Sequence, residues 1–385
     1  MRVMLFLTYL LICCFSFGQS DDLLKIGLNG GNAMSDIQIL IREGSYALSV
    51  DGVGLAEISE GQRCRIRKEN GALRILVNGK SVGSGKRAVM QSLEWESSFR
   101  LSQPEKAGYV YPDNLTVRVT STGLKAVNEC SAERYVGGVT EAESGGGREL
   151  EFYKVQAIIA RTYALANKRR HENQGFHLCD QVHCQAYHGM SRFEEKIPLA
   201  VNETHNYVLV DPEINLITAA FHANCGGHTL NAEHVWSRPL SYLVGREDTF
   251  CLVMPQSHWE KDIPKSRWLG YLSEQQDIPL ATQADSLAVL AYYPRERTRF
   301  FQDSLHNLLM TRIRRDLKLR SAFFVVEDEG QSVHITGRGF GHGVGLCQEG
   351  AMRMAELGYS HQEILHFYYK DVHLIDKKHL EFFLD

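Results

Sequence analysis

Over its first hundred residues the chain alternates apolar and polar positions with a period of two. Ile37, Ile39 and Ile41 alternate with Gln38, Leu40 and Arg42, and Tyr46, Leu48 and Val50 repeat the period before an Asp51-Gly52 turn. Leu73, Ile75 and Val77 do so again between Asn70-Gly71 and Asn78-Gly79. Successive side chains of a strand point to opposite faces, and Asn-Gly tolerates the positive φ of a tight hairpin turn. The pattern predicts a small antiparallel sheet domain over residues 19–105. Further strands are expected over 115–119 and 123–128. The period then changes. Val155, Ile158, Ile159 and Tyr163 recur at helical spacing, with Glu149 and Glu151 before them and Lys168, Arg169 and Arg170 after. Acids at the start and bases at the end suit the helix dipole, so a helix is predicted from about Glu149 to Arg170. Strands over 207–210 and 216–222, a helix over 304–318, strands over 323–326 and 333–335, and a helical tail over 363–369 complete the reading. The expected class is α+β: a β-rich N-terminal domain followed by a mixed α+β domain over 106–385.

Composition narrows the function classes. The 385 residues are 44% apolar and 23% charged with a net charge of −4, which is ordinary for a globular protein and gives no basic excess for binding nucleic acid. Arg2, an apolar run from Val3 to Phe17, and small residues Ser16 and Gly18 before Gln19 have the form of a secretory signal over 1–18. Export to the periplasm or cell envelope is expected. Two of the nine cysteines, Cys13 and Cys14, lie in that leader, leaving Cys64, Cys130, Cys179, Cys184, Cys225, Cys251 and Cys347. Seven is odd, so at least one stays unpaired or binds a metal.

Four polar blocks carry candidate chemistry. Gly337, Gly339, Gly341, Gly343 and Gly345 fall at alternate positions, with His342 among them and Gln348-x-Gly350-Ala351 following. In a strand, this spacing would strip one face of side chains and let a ligand approach the backbone. Glu141 and Glu143 precede Gly145-Gly-Gly147 just before the predicted long helix, where a carboxylate serves either as an acid/base or as a helix cap. Cys179 and Cys184 are spaced for a zinc site, with His171, His177, His183 or His188 to supply nitrogen, and equally for a disulfide. The block from His222 to Thr229 joins a histidine, Cys225 and Gly226-Gly227; a small buried cysteine beside a turn is the simpler reading of Cys225 than a nucleophile.

Taken in order, these blocks resemble the SpoIID/LytB family of cell-wall proteins. The matching segments are Glu133 to Glu143, Lys154 to Ala164, Cys179 to Tyr187, His222 to Thr229 with Val235-Trp236, Gly339 to Ala351, and Ile364 to Tyr369. The resemblance covers about Tyr109 to Leu374. It implies a lytic transglycosylase acting on peptidoglycan glycan strands, with Glu143, not Glu141, as the single acid/base. Gln156, Arg161, His222, Gly226, Gly227, Thr229, Gly341, His342, Gly343 and Gln348 would shape the substrate cleft. It also implies that the chemistry needs no cofactor, and that a structural zinc can lie at Cys179, Cys184 and His183. Its alternative is a non-catalytic, glycan-binding amidase enhancer with a cell-wall amidase as partner. The chain departs from the family pattern at Ser144-Gly-Gly-Gly147, Cys347 and Glu349. A hydrolase normally places two carboxylates about the scissile bond. One suffices when the sugar's own six-position hydroxyl replaces water and closes a 1,6-anhydro ring. That acid must be protonated, so its site must desolvate it, by burial against Tyr135 or another aromatic, against the pull of the helix N-terminus expected after it.

Overall fold

A computed structural model describes residues 23–236, 238–275, 278, 280, 282–302 and 308–382. The expected signal segment 1–18 and residues 304–307 of the expected 304–318 helix lie outside them. The first strands are β1 (Leu23–Gly27), β2 (Asp36–Glu43), β3 (Ser45–Val50), β4 (Val53–Ser59), β5 (Arg63–Glu69) and β6 (Ala72–Val77). They continue with β7 (Lys80–Gly85), β8 (Arg87–Ser92), β9 (Ser98–Gln103), β10 (Lys106–Pro112), β11 (Asn114–Val119) and β12 (Leu124–Ser131). Two mostly antiparallel sheets result, ordered β13-β1-β12-β11-β8-β3-β4 and β10-β9-β2-β5-β6-β7, where β13 is Leu178–Cys179. Both Asn-Gly pairs turn as expected, with φ of 50° and 73° at Asn70 and Gly71 and 46° and 82° at Asn78 and Gly79. In β3, Tyr46, Leu48 and Val50 are buried and the residues between them are half-buried. The Tyr46 ring meets Phe99 of the facing sheet edge-on at 5.9 Å.

The α+β class holds. The expected division at 105/106, however, falls in the tip of the β9–β10 hairpin, and β11 and β12 complete the first sheet. One core continues from Leu24 through the sheets into the helices as far as Val372, so burial does not break where the resemblance begins. A second cluster forms a satellite around Trp259, Trp268, Ile313 and Val326, beneath the strands His258–Pro264, Phe324–Asp328 and Ser332–Arg338. No helix among the described residues is long and apolar enough to cross a membrane.

Two helices position the site: α1 (Ala132–Ser144) and α2 (Leu150–Ala166). α1 replaces the loop expected around Glu141 and Glu143. Gly137 and Gly138 weaken its sequence signal, since glycine is a poor helix former. Ser131 caps its first turn by accepting the Arg134 N–H at 3.3 Å. Gly138 is needed for packing, because a Cβ there would stand 1.8 Å from the Gly189 carbonyl oxygen. α2 ends at Ala166, short of the expected Arg170, where Asn167 leaves helical geometry with φ −110° and ψ 15°.

Candidate active site

Glu143 is the penultimate residue of α1, not the start of the following helix. The expected pull of a helix N-terminus is therefore reversed: the carbonyl end of α1 disfavours the anion. Burial pushes the carboxyl above its usual range, partly opposed by the Ala186 N–H, which donates to Oε1 at 2.7 Å. The aromatic expected to desolvate it, Tyr135, is fully buried and donates its hydroxyl to Gln185 Oε1 at 3.3 Å. Glu141 is engaged elsewhere: its Oε2 accepts from Ser191 Oγ and from the N–H groups of Arg192 and Phe193, at 3.0, 3.0 and 2.9 Å. The atypical turn after Glu143 is well held. Gly145 and Gly147 take φ of 65° and 75°, which glycine adopts freely. Tyr153 donates to the Gly145 carbonyl at 3.0 Å, and the Gly147 N–H donates to Glu194 at 2.7 Å.

Glu143 opens onto a cleft of about 590 Å³ whose walls come from separated segments between Glu143 and Gln348. It is the one carboxylate among the described residues that line it. His222, Gly341, His342 and Gln348 line it too, as expected. The far wall is built by laying 339–347 against 220–230: Phe221–His222 pairs in parallel with Leu346–Cys347, and the Leu230 N–H donates to the Gly343 carbonyl at 2.7 Å. The glycine run is not a strand beyond Arg338. Gly339, Gly341, Gly343 and Gly345 have φ of 78°, 115°, 86° and 71°, so their alternation encodes a chain that visits the left-handed side at every second residue. At Gly341 a Cβ would stand 2.8 Å from His222 Cβ. Gly341→Ala should therefore lower stability by about 1–3 kcal/mol, read as an earlier urea midpoint.

The two histidines do different work. His222 is buried, and its Nδ1 donates to the Val344 carbonyl at 3.1 Å, leaving Nε2 unpartnered. Burial, reinforced by His342 and Arg297, holds it neutral, well below its usual pKa, so Nε2 carries a buried lone pair. His342 is also neutral, pushed down to about 4 chiefly by burial. Its Nδ1 accepts the Val344 N–H at 3.1 Å and its other nitrogen serves the Phe221 carbonyl. Both polar atoms are thus committed to backbone, which removes the glycan contact expected of them. The ring instead sits between His222 and Trp236, 5.4 Å from each centroid.

Other expected cleft residues stand behind the walls. Gln156 is buried and accepts from Gln348 Nε2 at 3.2 Å, orienting Gln348 towards the Glu143 carbonyl, 3.5 Å away. The Arg161 guanidinium is consumed by Glu133, at 2.9 and 2.6 Å, and by the Tyr207 carbonyl at 3.0 Å. Gly226, Gly227, Thr229 and Gly343 shape the loops behind the wall rather than line the cleft. Gly226 packs on Arg338, Gly227 faces Leu252, Thr229 Oγ1 accepts the Arg246 N–H at 2.9 Å, and Gly343 faces Arg297. Sequence reasoning assigned no cleft role to Arg170, Arg314 or Trp236, which line it. In the sequence Arg170 stands only as a helix-terminal charge, and Trp236 only as part of a matching segment.

Beside the cleft, His171, Cys179, His183 and Cys184 bring two sulfurs and two ring nitrogens within 4.8 Å of one another, with neither cysteine in a disulfide. This donor set fits a closed tetrahedral zinc site, with His171 as the fourth ligand. The segment is anchored by parallel pairing of Cys179 with Gly27 and by Asp180, which accepts from the Asn29 and Gly30 N–H groups at 2.8 and 2.6 Å. Ala186, the donor to Glu143, stands two residues after Cys184.

A family profile described as Stage II sporulation protein matches residues 120–210. The chain is 31% identical over 278 residues to Stage II sporulation protein D of Bacillus amyloliquefaciens, covering 67% of this chain and 78% of that one. It is 30% identical over 258 residues to an uncharacterized protein of Brachyspira hyodysenteriae, covering 65% of this chain and 68% of that one. An amidase enhancer of Bacillus subtilis is 27% identical over 286 residues, 60% of this chain and 39% of its own length.

Proposed function

The chain belongs to the SpoIID/LytB family and has a cell-wall function, and from that premise we propose that it is an exported peptidoglycan lytic transglycosylase with Glu143 as its single acid/base. The observation that carries this reading is a desolvated carboxyl, the one carboxylate among the described residues that line a cleft of about 590 Å³. The protonated carboxyl gives its proton to the glycosidic oxygen as the bond to the anomeric carbon breaks. The carboxylate so formed, met by the Ala186 N–H, takes the proton of the six-position hydroxyl, and that oxygen closes on the anomeric carbon. Atoms balance without water, which accords with a cleft that offers no second carboxylate among its described residues. Trp236, exposed on the cleft wall, presents its ring face to a sugar.

Arg170 and Arg314 favour strands already stripped of peptide, because the lactyl carboxylate of muramic acid is free only there. Arg314→Ala should raise KM on such strands about tenfold with kcat nearly unchanged, the loss of one charged hydrogen bond worth ~1.5 kcal/mol. A zinc held by His171, Cys179, His183 and Cys184 would have a structural role, since four protein ligands leave no open position; these residues fix the segment that carries Ala186. Digestion of purified peptide-free glycan, with products identified by mass spectrometry, tests the reading. Anhydro-muramic ends are expected. Strand binding without any product would instead favour the amidase-enhancer role that one relative's name describes.

A further inference from the structure

Behind the cleft wall lies a second cluster. Cys225, Asp248, Cys251 and Cys347 come from three separated segments, yet their ligand atoms lie within 4.8 Å of one another and all four residues are fully buried. We propose that these three thiols and one carboxylate form a second metal site, taking a single zinc-class dication and fastening the cleft wall from behind.

Geometry and surroundings point the same way. Cys225 Sγ lies 3.4 Å from Cys251 Sγ and 3.3 Å from Asp248 Oδ2, and none of the three cysteines is in a disulfide. A tetrahedral ion about 2.3 Å from each sulfur holds ligand sulfurs roughly 3.8 Å apart, so the Cys225–Cys251 pair needs only slight expansion. Sulfurs this close converge on one ion, and thiolate-rich tetrahedral sites select zinc over harder cations. Cys347 Sγ is already served by backbone donors, the N–H groups of Cys225 and Gly350, at 3.2 and 3.4 Å. Such bonds stabilise thiolates. Asp248 is oriented from outside, with Tyr368 donating to Oδ2 at 2.9 Å and the Phe250 N–H to Oδ1 at 3.1 Å, the supporting shell that metal carboxylates require. Four anionic ligands exceed the charge of one dication. The buried Arg297 guanidinium, held on the Cys225 carbonyl by Nε at 3.1 Å, supplies a compensating positive charge.

The placement gives the ion its role. Cys225 ends the segment that carries His222, and Cys347 immediately precedes Gln348. One ion would tie both cleft-lining segments to the Asp248–Cys251 turn. With every ligand position filled and none exposed, the role is structural.

Metal content reads this without any activity assay, so it stands or falls apart from the transglycosylase reading. The full chain carrying Cys179→Ser and Cys184→Ser, which disable the first cluster, should retain close to one zinc per chain after dialysis against chelator. Zinc X-ray absorption of that variant should show about three sulfurs near 2.3 Å and one oxygen near 2.0 Å. Adding Cys347→Ser should remove the zinc. Should these variants fail to fold, cobalt substitution of the unaltered chain should give two ions per chain, with thiolate-to-cobalt charge transfer from five sulfurs rather than two. A Cys179→Ser/Cys184→Ser chain without zinc, a cobalt spectrum of two sulfurs only, or a digest containing Cys225 disulfide-bonded to Cys251 or Cys347 would overturn the proposal.

Discussion

Glu143→Gln should lower the rate of glycan cleavage by between about 10² and 10⁴-fold, the usual contribution of one positioned general acid/base, while leaving the fold intact. The amide keeps the shape of the carboxyl and an oxygen for the Ala186 N–H, so only the exchangeable proton is lost. Stability should move the other way. Burial raises the folded pKa of Glu143 above its ordinary 4.5. A group whose folded pKa is raised favours the fold fully below its unfolded pKa and loses that contribution as pH rises through the folded value. Above the folded pKa the ionised carboxylate therefore costs stability that glutamine does not, and there Glu143→Gln should melt no lower than the unaltered chain. The difference should shrink in acid. The unaltered chain's rate should fall as pH rises through the same raised pKa. A rate unaffected by Glu143→Gln would remove this residue from the chemistry.

Arg161→Met should do the opposite: lower stability by about 3 kcal/mol and leave KM for glycan unchanged. The Arg161 side chain is 1% exposed and ties α1 to α2 and to the strand Tyr207–Val210 through Glu133 and the Tyr207 carbonyl. Breaking a buried pair from one side strands the other charge, which is why such losses are typically ~3–5 kcal/mol; Glu133, 23% exposed, is not wholly cut off from water, which places the expectation at the lower end. The double replacement Glu133→Leu with Arg161→Met should recover part of the loss, because no charge is then left unpaired. Urea unfolding of the single and double variants reads this directly. Unchanged stability with a raised KM would return Arg161 to the substrate site.

Much of the architecture could be read along the chain, and what escaped has physical causes. Period-two alternation at Ile37–Ile41, Tyr46–Val50 and Leu73–Val77, punctuated by Asn-Gly, marks strands because each alternate residue meets the core. Helix α1 escaped because Gly137 and Gly138 depress local propensity, whereas its existence depends on packing against the Tyr187–Gly189 segment. At the site, the segments that bring Glu143, His222, Gly341, His342 and Gln348 to one cleft were legible as motifs. Motif membership does not separate a residue that faces the cleft from one that supports it, and Gln156, Arg161, Gly226, Gly227, Thr229 and Gly343 proved to support it. Arg170 and Arg314 belong to a large population of basic residues, and nothing local distinguishes the two that line the cleft. The clustering of Cys225, Cys251 and Cys347 is likewise a product of tertiary structure, since no short spacing links them.

In the proposed reaction one carboxyl cleaves the strand without water. Digestion of peptide-free glycan in water enriched in heavy oxygen, followed by mass spectrometry of the new muramic ends, tests it most directly. The expected ends are one water lighter than a hydrolysis product and free of the label. Labelled, reducing ends formed in proportion to enzyme would contradict it.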